Sequence, residues 1–150
     1  MVTIIVYGLD QFVVGRLSRE MTPNLAKLYE LNEDEIIFVA PQTMVFHKGV
    51  EQTSWNIIIH VHAPKKVALL EEQVAKLLLE SIGDVAINKI LEFYYYSEDN
   101  RYVKLNESYP RFISADNLLD IDEEEYDEDL QEGDEEDQIF TGDIFQNFNH

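Results

Sequence analysis

The sequence contains no cysteine in its 150 residues. Disulfide bonds, thiolate zinc sites and cysteine nucleophiles are therefore excluded. Basic side chains are also scarce, with 11 Lys and Arg against 30 Asp and Glu, which gives a formal net charge of −19. This charge disfavours nucleic acids and anionic membrane surfaces as partners, because both are polyanions.

Long apolar runs and the common catalytic motifs are absent as well. No uninterrupted apolar segment is long enough to span a bilayer, and no apolar run follows a basic N-terminal region as it does in a signal peptide. The sequence has no glycine-rich phosphate loop, nucleophile elbow or HExxH motif. We therefore expect a cytoplasmic protein that does not contact membranes, and we predict no cofactor.

The acidic residues are concentrated at the C-terminal end. Residues 1–106 carry 14 acidic and 10 basic side chains, whereas residues 107–150 carry 16 acidic side chains and only one base, Arg111. Mutual repulsion predicts a largely disordered tail over residues 107–150, which would suit a basic protein partner. The tail ends in a short apolar cluster: Ile139, Phe140, Ile144, Phe145 and Phe148. Residues 1–106 are predicted to form the folded domain.

Strand and helix signals alternate in residues 1–106. Segments rich in β-branched and aromatic residues predict strands at residues 3–7, 36–40, 55–62 and 86–96. Helical spacing predicts one helix that Asp10 caps and that Pro23 kinks or splits, and a second helix that begins near Pro64 and ends at Gly83. A turn is predicted at residues 48–49, and residues 101–105 are a candidate for a short returning strand.

This order, β-α-β-β-α-β, predicts an α+β fold with a four-stranded mixed sheet and both helices on one face. Consecutive apolar residues at 36–38 and 57–59 indicate that the strands are buried on both faces. Two helices cover only one face, so we expect copies of the chain to cover the other. Docking of the apolar cluster of the tail is the alternative cover, and a ferredoxin-like monomer is the alternative fold.

Three segments, TIIVYGL, EEQVAKLLLESI and ILEFYYYSEDNRYV, resemble a family of small uncharacterised bacterial proteins in the tautomerase, or macrophage migration inhibitory factor, superfamily. The resemblance covers about residues 2–103 and implies a trimer whose sheets face inward around a central axis. Enzymes of this superfamily use an N-terminal proline, exposed by removal of Met1, as base or nucleophile. Here the position is Val2, which would offer a primary amine with a pKa of about 7.7–8.0.

Four residues are candidates for a site: Val2 through its amine, Lys65, Lys66 and Tyr95. The two lysines lie at the predicted start of the second helix, where the helix dipole favours an anion; a solvated charge pair is the alternative. The resemblance places Tyr95 near a pocket at the subunit interface, with ordinary strand packing as the alternative. His60 and His62 share one side of a strand and are half of a metal site, but no third ligand is identifiable, so we predict no metal.

These features predict a homotrimer with a tautomerase-like fold that binds a small anion or a protein partner. The missing proline favours a non-enzymatic role. The enzymatic alternative is a weak keto–enol tautomerase in which the Val2 amine is the base and Lys65 or Lys66 orients the substrate carboxylate. The third hypothesis is an interaction module that recruits a basic protein through its acidic tail.

Overall fold

The computed structural model describes residues 1–113, which form one folded unit. Of the disordered tail predicted at residues 107–150, residues 114–150 with the terminal apolar cluster lie outside the described residues. The elements in chain order are β1 (Val2–Tyr7), α1 (Gln11–Tyr29), β2 (Ile36–Val39), β3 (Phe46–His47), β4 (Val50–Glu51), β5 (Asn56–Pro64), α2 (Glu71–Ile82) and β6 (Asn88–Tyr96).

Four of the strands form one mixed sheet in the order β2-β1-β5-β6. Strand β1 is parallel to β2 and antiparallel to β5, and β5 is parallel to β6. The predicted β-α-β-β-α-β arrangement is therefore confirmed. Strands β3 and β4 form a separate hairpin whose turn lies at Lys48 and Gly49, as predicted, and both residues have a positive φ.

Both helices pack on the same face of the sheet. Burial alternates along β1 and β5, so that Ile4 and Ile59 are fully buried while their chain neighbours are not. Leu17 of α1 and Leu78 of α2 line the same small internal cavity as these two isoleucines. This face of the sheet, called the helix face below, carries the hydrophobic core, and the predicted two-layer arrangement is confirmed.

The first helix begins where the sequence predicts. The Asp10 side chain accepts a hydrogen bond of 2.8 Å from the Phe12 amide, which is a helix N-cap. Pro23 lies inside α1 but does not split it, because the helix continues to Tyr29. The buried side chains of Met21 and Leu25 on either side of the proline anchor the helix to the core and offset the missing backbone hydrogen bond.

The second helix begins later than predicted. Pro64 is the last residue of β5, and the segment Lys65–Leu70 is a 3-10 helix that precedes α2. The prediction was wrong because strand pairing continues to the end of β5, where Pro64 lies opposite Tyr96. Lys65 and Lys66 therefore lie six and five residues before the start of α2, outside its first turn, where the helix dipole would act. The prediction of a short returning strand at residues 101–105 is also wrong, because these residues form no strand.

The opposite face of the sheet, called the open face below, has no helix of residues 1–113 packed against it. Apolar side chains on this face are only partly buried by their neighbours in the sheet, among them Ile5, Ile37 and Ile58. At the edges, Val39 and Ile90 are 38% and 51% exposed. The open face thus exposes the apolar side chains from which the sequence predicted a second covering layer.

Candidate functional site

Because β1 is antiparallel to β5 and β5 is parallel to β6, the first residues of β1 and the last residues of β5 and β6 lie at the same end of the sheet. Because β2 is parallel to β1, the first residues of β2 lie at this end as well. The residues gathered there are called the N-terminal corner below: Met1, Glu35, Lys66, Tyr96, Glu98, Arg101 and Arg111. They are separated by up to 110 positions in the chain, so only the fold assembles them.

Met1 is the centre of this corner. Its amino group lies 3.6 Å from Oε1 of Glu35, and its carbonyl oxygen accepts a hydrogen bond from the Tyr96 hydroxyl. Its sulfur accepts hydrogen bonds of 3.1 Å from Nη2 of Arg101 and from Nη2 of Arg111. The first residue of the chain is therefore held through its amine, its carbonyl and its side chain.

The two guanidinium groups have weak partners in this arrangement. A thioether sulfur is a poor acceptor compared with a carboxylate. Arg101 also lies over the ring of Tyr96, 5.5 Å from its centroid, and Arg111 lies over the ring of Phe112. Neither arginine forms an ion pair within residues 1–113. Both can therefore still take a carboxylate as a hydrogen-bond acceptor.

The two lysines of the predicted site, Lys65 and Lys66, differ in their ion pairs within residues 1–113. Nζ of Lys66 lies 2.6 Å from Oε1 of Glu98, and this hydrogen bond raises the pKa of Lys66 and lowers the pKa of Glu98. Lys65 is exposed and has no ion pair among the described residues. The structure thus brings Lys66, but not Lys65, into the contacts of the N-terminal corner.

Burial lowers the pKa of the Met1 amine below its ordinary value of 8.0. The positive charges of Arg101 and Lys66 act in the same direction, and the carboxylate of Glu35 opposes them. A lowered pKa increases the fraction of neutral amine near pH 7, and neutral amine is the form that accepts a proton.

The remaining predicted site residues lie on the helix face. The side chain of Val2 is fully buried in the core. The hydroxyl of Tyr95 donates a hydrogen bond of 2.8 Å to Glu71, and burial together with this bond raises the pKa of Tyr95. Tyr96, which sequence reasoning did not select, contacts Met1. Neighbouring residues of a strand point to opposite faces of the sheet, so Tyr95 and Tyr96 must differ. The sequence does not give the pairing register, and it therefore does not indicate which of the two tyrosines contacts the corner.

A second cluster of polar and aromatic side chains lies on the open face. His60 and His62 are neighbours on β5, with ring centroids 6.3 Å apart. Nε2 of His60 lies 3.1 Å from Oε2 of Glu92, and His62 stacks on Tyr94 with centroids 5.0 Å apart. As the sequence predicts, the two histidines share one side of the strand.

Residues 1–113 contain neither a metal-binding cluster nor a membrane-spanning helix. No group of three or more His, Asp or Glu side chains in this part of the chain is arranged to hold a metal ion. No helix in the same residues is long and apolar enough to cross a membrane.

The fold is that of the tautomerase and macrophage migration inhibitory factor proteins. The structure is similar to a domain of unknown function, DUF1904, from Sebaldella termitidis, with a TM-score of 0.63 and 20% identity over 69% of this chain and 95% of that one. It is also similar to a macrophage migration inhibitory factor-like protein from Entamoeba histolytica, with a TM-score of 0.55 and 10% identity over 69% and 95% of the two chains.

A macrophage migration inhibitory factor homologue from Prochlorococcus marinus gives a similar result, with a TM-score of 0.54 and 13% identity over 69% of this chain and 94% of that one. The sequence matches no protein-family model and no curated protein. These likenesses confirm the fold that the sequence resemblance implied.

Proposed function

We propose that this chain is an oligomeric protein that binds a small organic anion at the N-terminal corner. The observation that carries the proposal is the convergence of the Arg101 and Arg111 guanidinium groups on the sulfur of Met1, at 3.1 Å each. In a chain with a net charge of −19, two arginines that form no ion pair within residues 1–113 concentrate positive potential at one point.

The chemistry of the guanidinium group indicates the class of ligand. Its planar donors match the two oxygens of a carboxylate, and such charge-assisted hydrogen bonds are stronger than those to a neutral sulfur. An anion would therefore replace the Met1 side chain as the acceptor. Removal of Met1 would have the same effect on the two arginines, because it takes away the sulfur that they share. Nη1 of Arg101 also donates a hydrogen bond of 3.4 Å to the Tyr96 hydroxyl, which helps to hold the guanidinium group at the corner.

Self-association is the second part of the proposal. The partly exposed apolar side chains of the open face favour a cover made of further copies of the chain. The likeness to macrophage migration inhibitory factor proteins in fold supports a homotrimer with the open faces turned inward, as the sequence resemblance implies.

Calorimetric titration with phenylpyruvate and with malonate tests the anion site. We expect saturable binding that weakens about 10- to 100-fold in Arg101→Ala and in Arg111→Ala, because hydrogen bonds to charged groups contribute about 1.5–3 kcal/mol. Arg16→Ala is the matched control, since Arg16 lies on α1 and contacts only Glu20 at the edge of the ion-pair distance. Equal affinities in all three variants would contradict the proposal.

A weak keto–enol tautomerase is the second candidate function. The observation that favours it is the lowered pKa of the Met1 amine, which makes that group a better proton acceptor near pH 7 than an exposed amine. If Met1 is removed, the amine of Val2 takes this role, close to Tyr96 and Arg101. Intact mass identifies the terminal residue, and the enol absorbance of phenylpyruvate measures the activity. Loss of this activity on N-terminal acetylation would support the amine as base; unchanged activity would exclude it.

The recruitment of a basic protein by the acidic tail stays a prediction from sequence alone, because the tail lies outside the described residues. Deletion of residues 114–150 separates this role from the N-terminal corner. Anion affinity should survive the deletion, whereas binding of a basic partner should not.

A further inference from the structure

The histidines of the open face are arranged for metal binding but are incomplete in one chain. His60 and His62 project from β5, which with β1 forms the centre of the four-stranded sheet. Their rings are 6.3 Å apart between centroids, and both are only partly buried. Imidazole nitrogen is a ligand that zinc, nickel and copper ions accept readily.

The surroundings of His60 resemble the support that metal-binding histidines usually have. Nε2 of His60 lies 3.1 Å from Oε2 of Glu92, and the same carboxylate oxygen accepts a hydrogen bond of 2.9 Å from the Tyr94 hydroxyl. A carboxylate this close to Nε2 favours a proton on that nitrogen, which leaves the lone pair on Nδ1. Tyr7 packs edge-on against the His60 ring, with centroids 5.0 Å apart, and restricts its rotation.

The ring of His62 is held by stacking rather than by hydrogen bonds. It lies nearly parallel to the Tyr94 ring, at an angle of 17°, and neither of its nitrogens has a hydrogen-bond partner in the part of the chain that the structure describes. Stacking orients the His62 ring but leaves both of its nitrogens accessible. The ring can therefore coordinate an ion without first losing a hydrogen bond.

One chain nevertheless supplies too few ligands. A zinc ion bound by protein groups takes three or four of them, and residues 1–113 contain no group of three that could hold a metal. A second copy on the open face would supply the missing ligands, because a symmetric interface brings the same residues of each chain together near its axis. His60 and His62 lie on a central strand of the open face, and a shared site requires that the symmetry axis pass close to them.

We propose that copies of this chain share a divalent transition-metal ion, with zinc as the probe, between the His60 and His62 side chains of their open faces. The inference rests on the self-association in the proposed function but not on its anion site. The net charge of −19 per chain adds to the attraction of a cation when several copies meet.

The test is a calorimetric titration of the untagged full chain with ZnCl₂ after treatment with EDTA, with the molar mass measured by light scattering before and after. We expect less than one Zn²⁺ per chain and a more stable oligomer. Substitution of Glu92 by Gln should weaken zinc binding about 10- to 100-fold, as is usual for residues that orient a ligand. His60→Ala and His62→Ala should weaken it at least as much.

His47→Ala is the matched control, because His47 lies exposed on the separate hairpin. It should leave zinc binding unchanged. His60→Gln and His62→Gln keep the side-chain bulk and serve where the alanine variants fail to fold.

Three results would overturn the proposal. An oligomer that forms in EDTA and takes up no zinc would leave the self-association intact and remove the metal site. Zinc affinity that neither histidine substitution changes would place any bound ion elsewhere. One Zn²⁺ bound per monomer would contradict a shared site. None of these results bears on the N-terminal corner, whose anion affinity is measured separately.

Discussion

Nη2 of Arg101 lies 3.1 Å from the sulfur of Met1, although the two residues are 100 positions apart in the chain. Arg111, ten residues after Arg101 in the sequence, donates a hydrogen bond to the same sulfur. Both guanidinium groups therefore point at the residue that precedes the first strand. The proposed anion site follows from this arrangement, and the two neighbouring lysines provide a test of its electrostatics.

Lys66→Ala should weaken anion binding more than Lys65→Ala. Lys66 neutralises Glu98 at 2.6 Å, so its loss leaves a free carboxylate beside the corner, whereas Lys65 has no such partner in residues 1–113. Because exposed ion pairs are weak, we expect Lys66→Ala to weaken the affinity only about a few-fold. The double variant Lys66→Ala/Glu98→Ala should recover most of the affinity in the same titration. Equal losses for both lysines would contradict this account.

The N-terminal amine should titrate below its ordinary pKa of 8.0 because it is partly buried. The rate of acetylation by acetic anhydride, followed against pH with peptide mapping, reports the midpoint. Glu35→Gln should lower this midpoint further, because the Glu35 carboxylate stabilises the charged amine. Glu20→Gln, on the distant helix α1, is the control. A midpoint at or above 8.0 would remove the support for the amine as a base.

Glycine is required at position 8 but not at position 15. Gly8 has φ = +75°, and a Cβ there would lie 2.9 Å from the Asn56 carbonyl oxygen and 3.0 Å from Val45 Cγ2. Gly8→Ala should therefore reduce the free energy of unfolding by about 1–3 kcal/mol. Gly15→Ala meets nothing within 4 Å in helix α1 and should increase it by about 0.5–1 kcal/mol. Urea unfolding of both variants measures the two effects, and equal signs would contradict the backbone geometry.

Alkaline pH should destabilise the fold through Tyr29. Burial, with a contribution from the Glu71 carboxylate, raises the pKa of Tyr29 to about 12, whereas an unfolded tyrosine ionises near pH 10. The unfolded chain therefore loses its proton first, and stability decreases between about pH 10 and 12. Tyr29→Phe should reduce this slope in urea unfolding. The control Tyr102→Phe, at a side chain that is 94% exposed, should leave it unchanged. An unaltered slope in Tyr29→Phe would refute the assignment.

The sequence was sufficient for the arrangement of the sheet and helices, because local signals and burial agreed with each other. Asp10 caps the first helix, the turn at Lys48 and Gly49 forms as predicted, and apolar periodicity places both helices on one face. The start of the second helix was missed. A proline fits the first turn of a helix as well as the end of a strand, and only the pairing of Pro64 with Tyr96 decides between them.

The candidate site was predicted less well, because it depends on long-range contacts. Lys66 is near enough to the Met1 amine to lower its pKa, but the Val2 side chain is buried in the core. Tyr95 faces the helices, and Tyr96 takes the position at the corner. Arg101 and Arg111 follow the last strand without regular structure. No periodicity connects them to Met1, and no residue-level signal in the sequence points to the contact.

Substitutions on the two faces of β5 test the proposed interface and the hydrophobic core independently. Ile59 is fully buried on the helix face, and its neighbour Ile58 is partly exposed on the open face. Ile59→Glu should unfold the protein, because it places an unpaired charge in the core. Ile58→Glu should leave the circular dichroism spectrum close to that of the wild-type protein, while it prevents association and removes the stability that association adds.

The molar mass of the full chain in dilute solution tests the central claim most directly. Light scattering coupled to gel filtration, repeated at several protein concentrations, counts the subunits of the wild-type and Ile58→Glu proteins. The proposed self-association predicts a trimer for the wild-type chain and a folded single subunit for Ile58→Glu. A wild-type protein that remains a single subunit at every concentration, or a variant with the wild-type mass, would contradict the account.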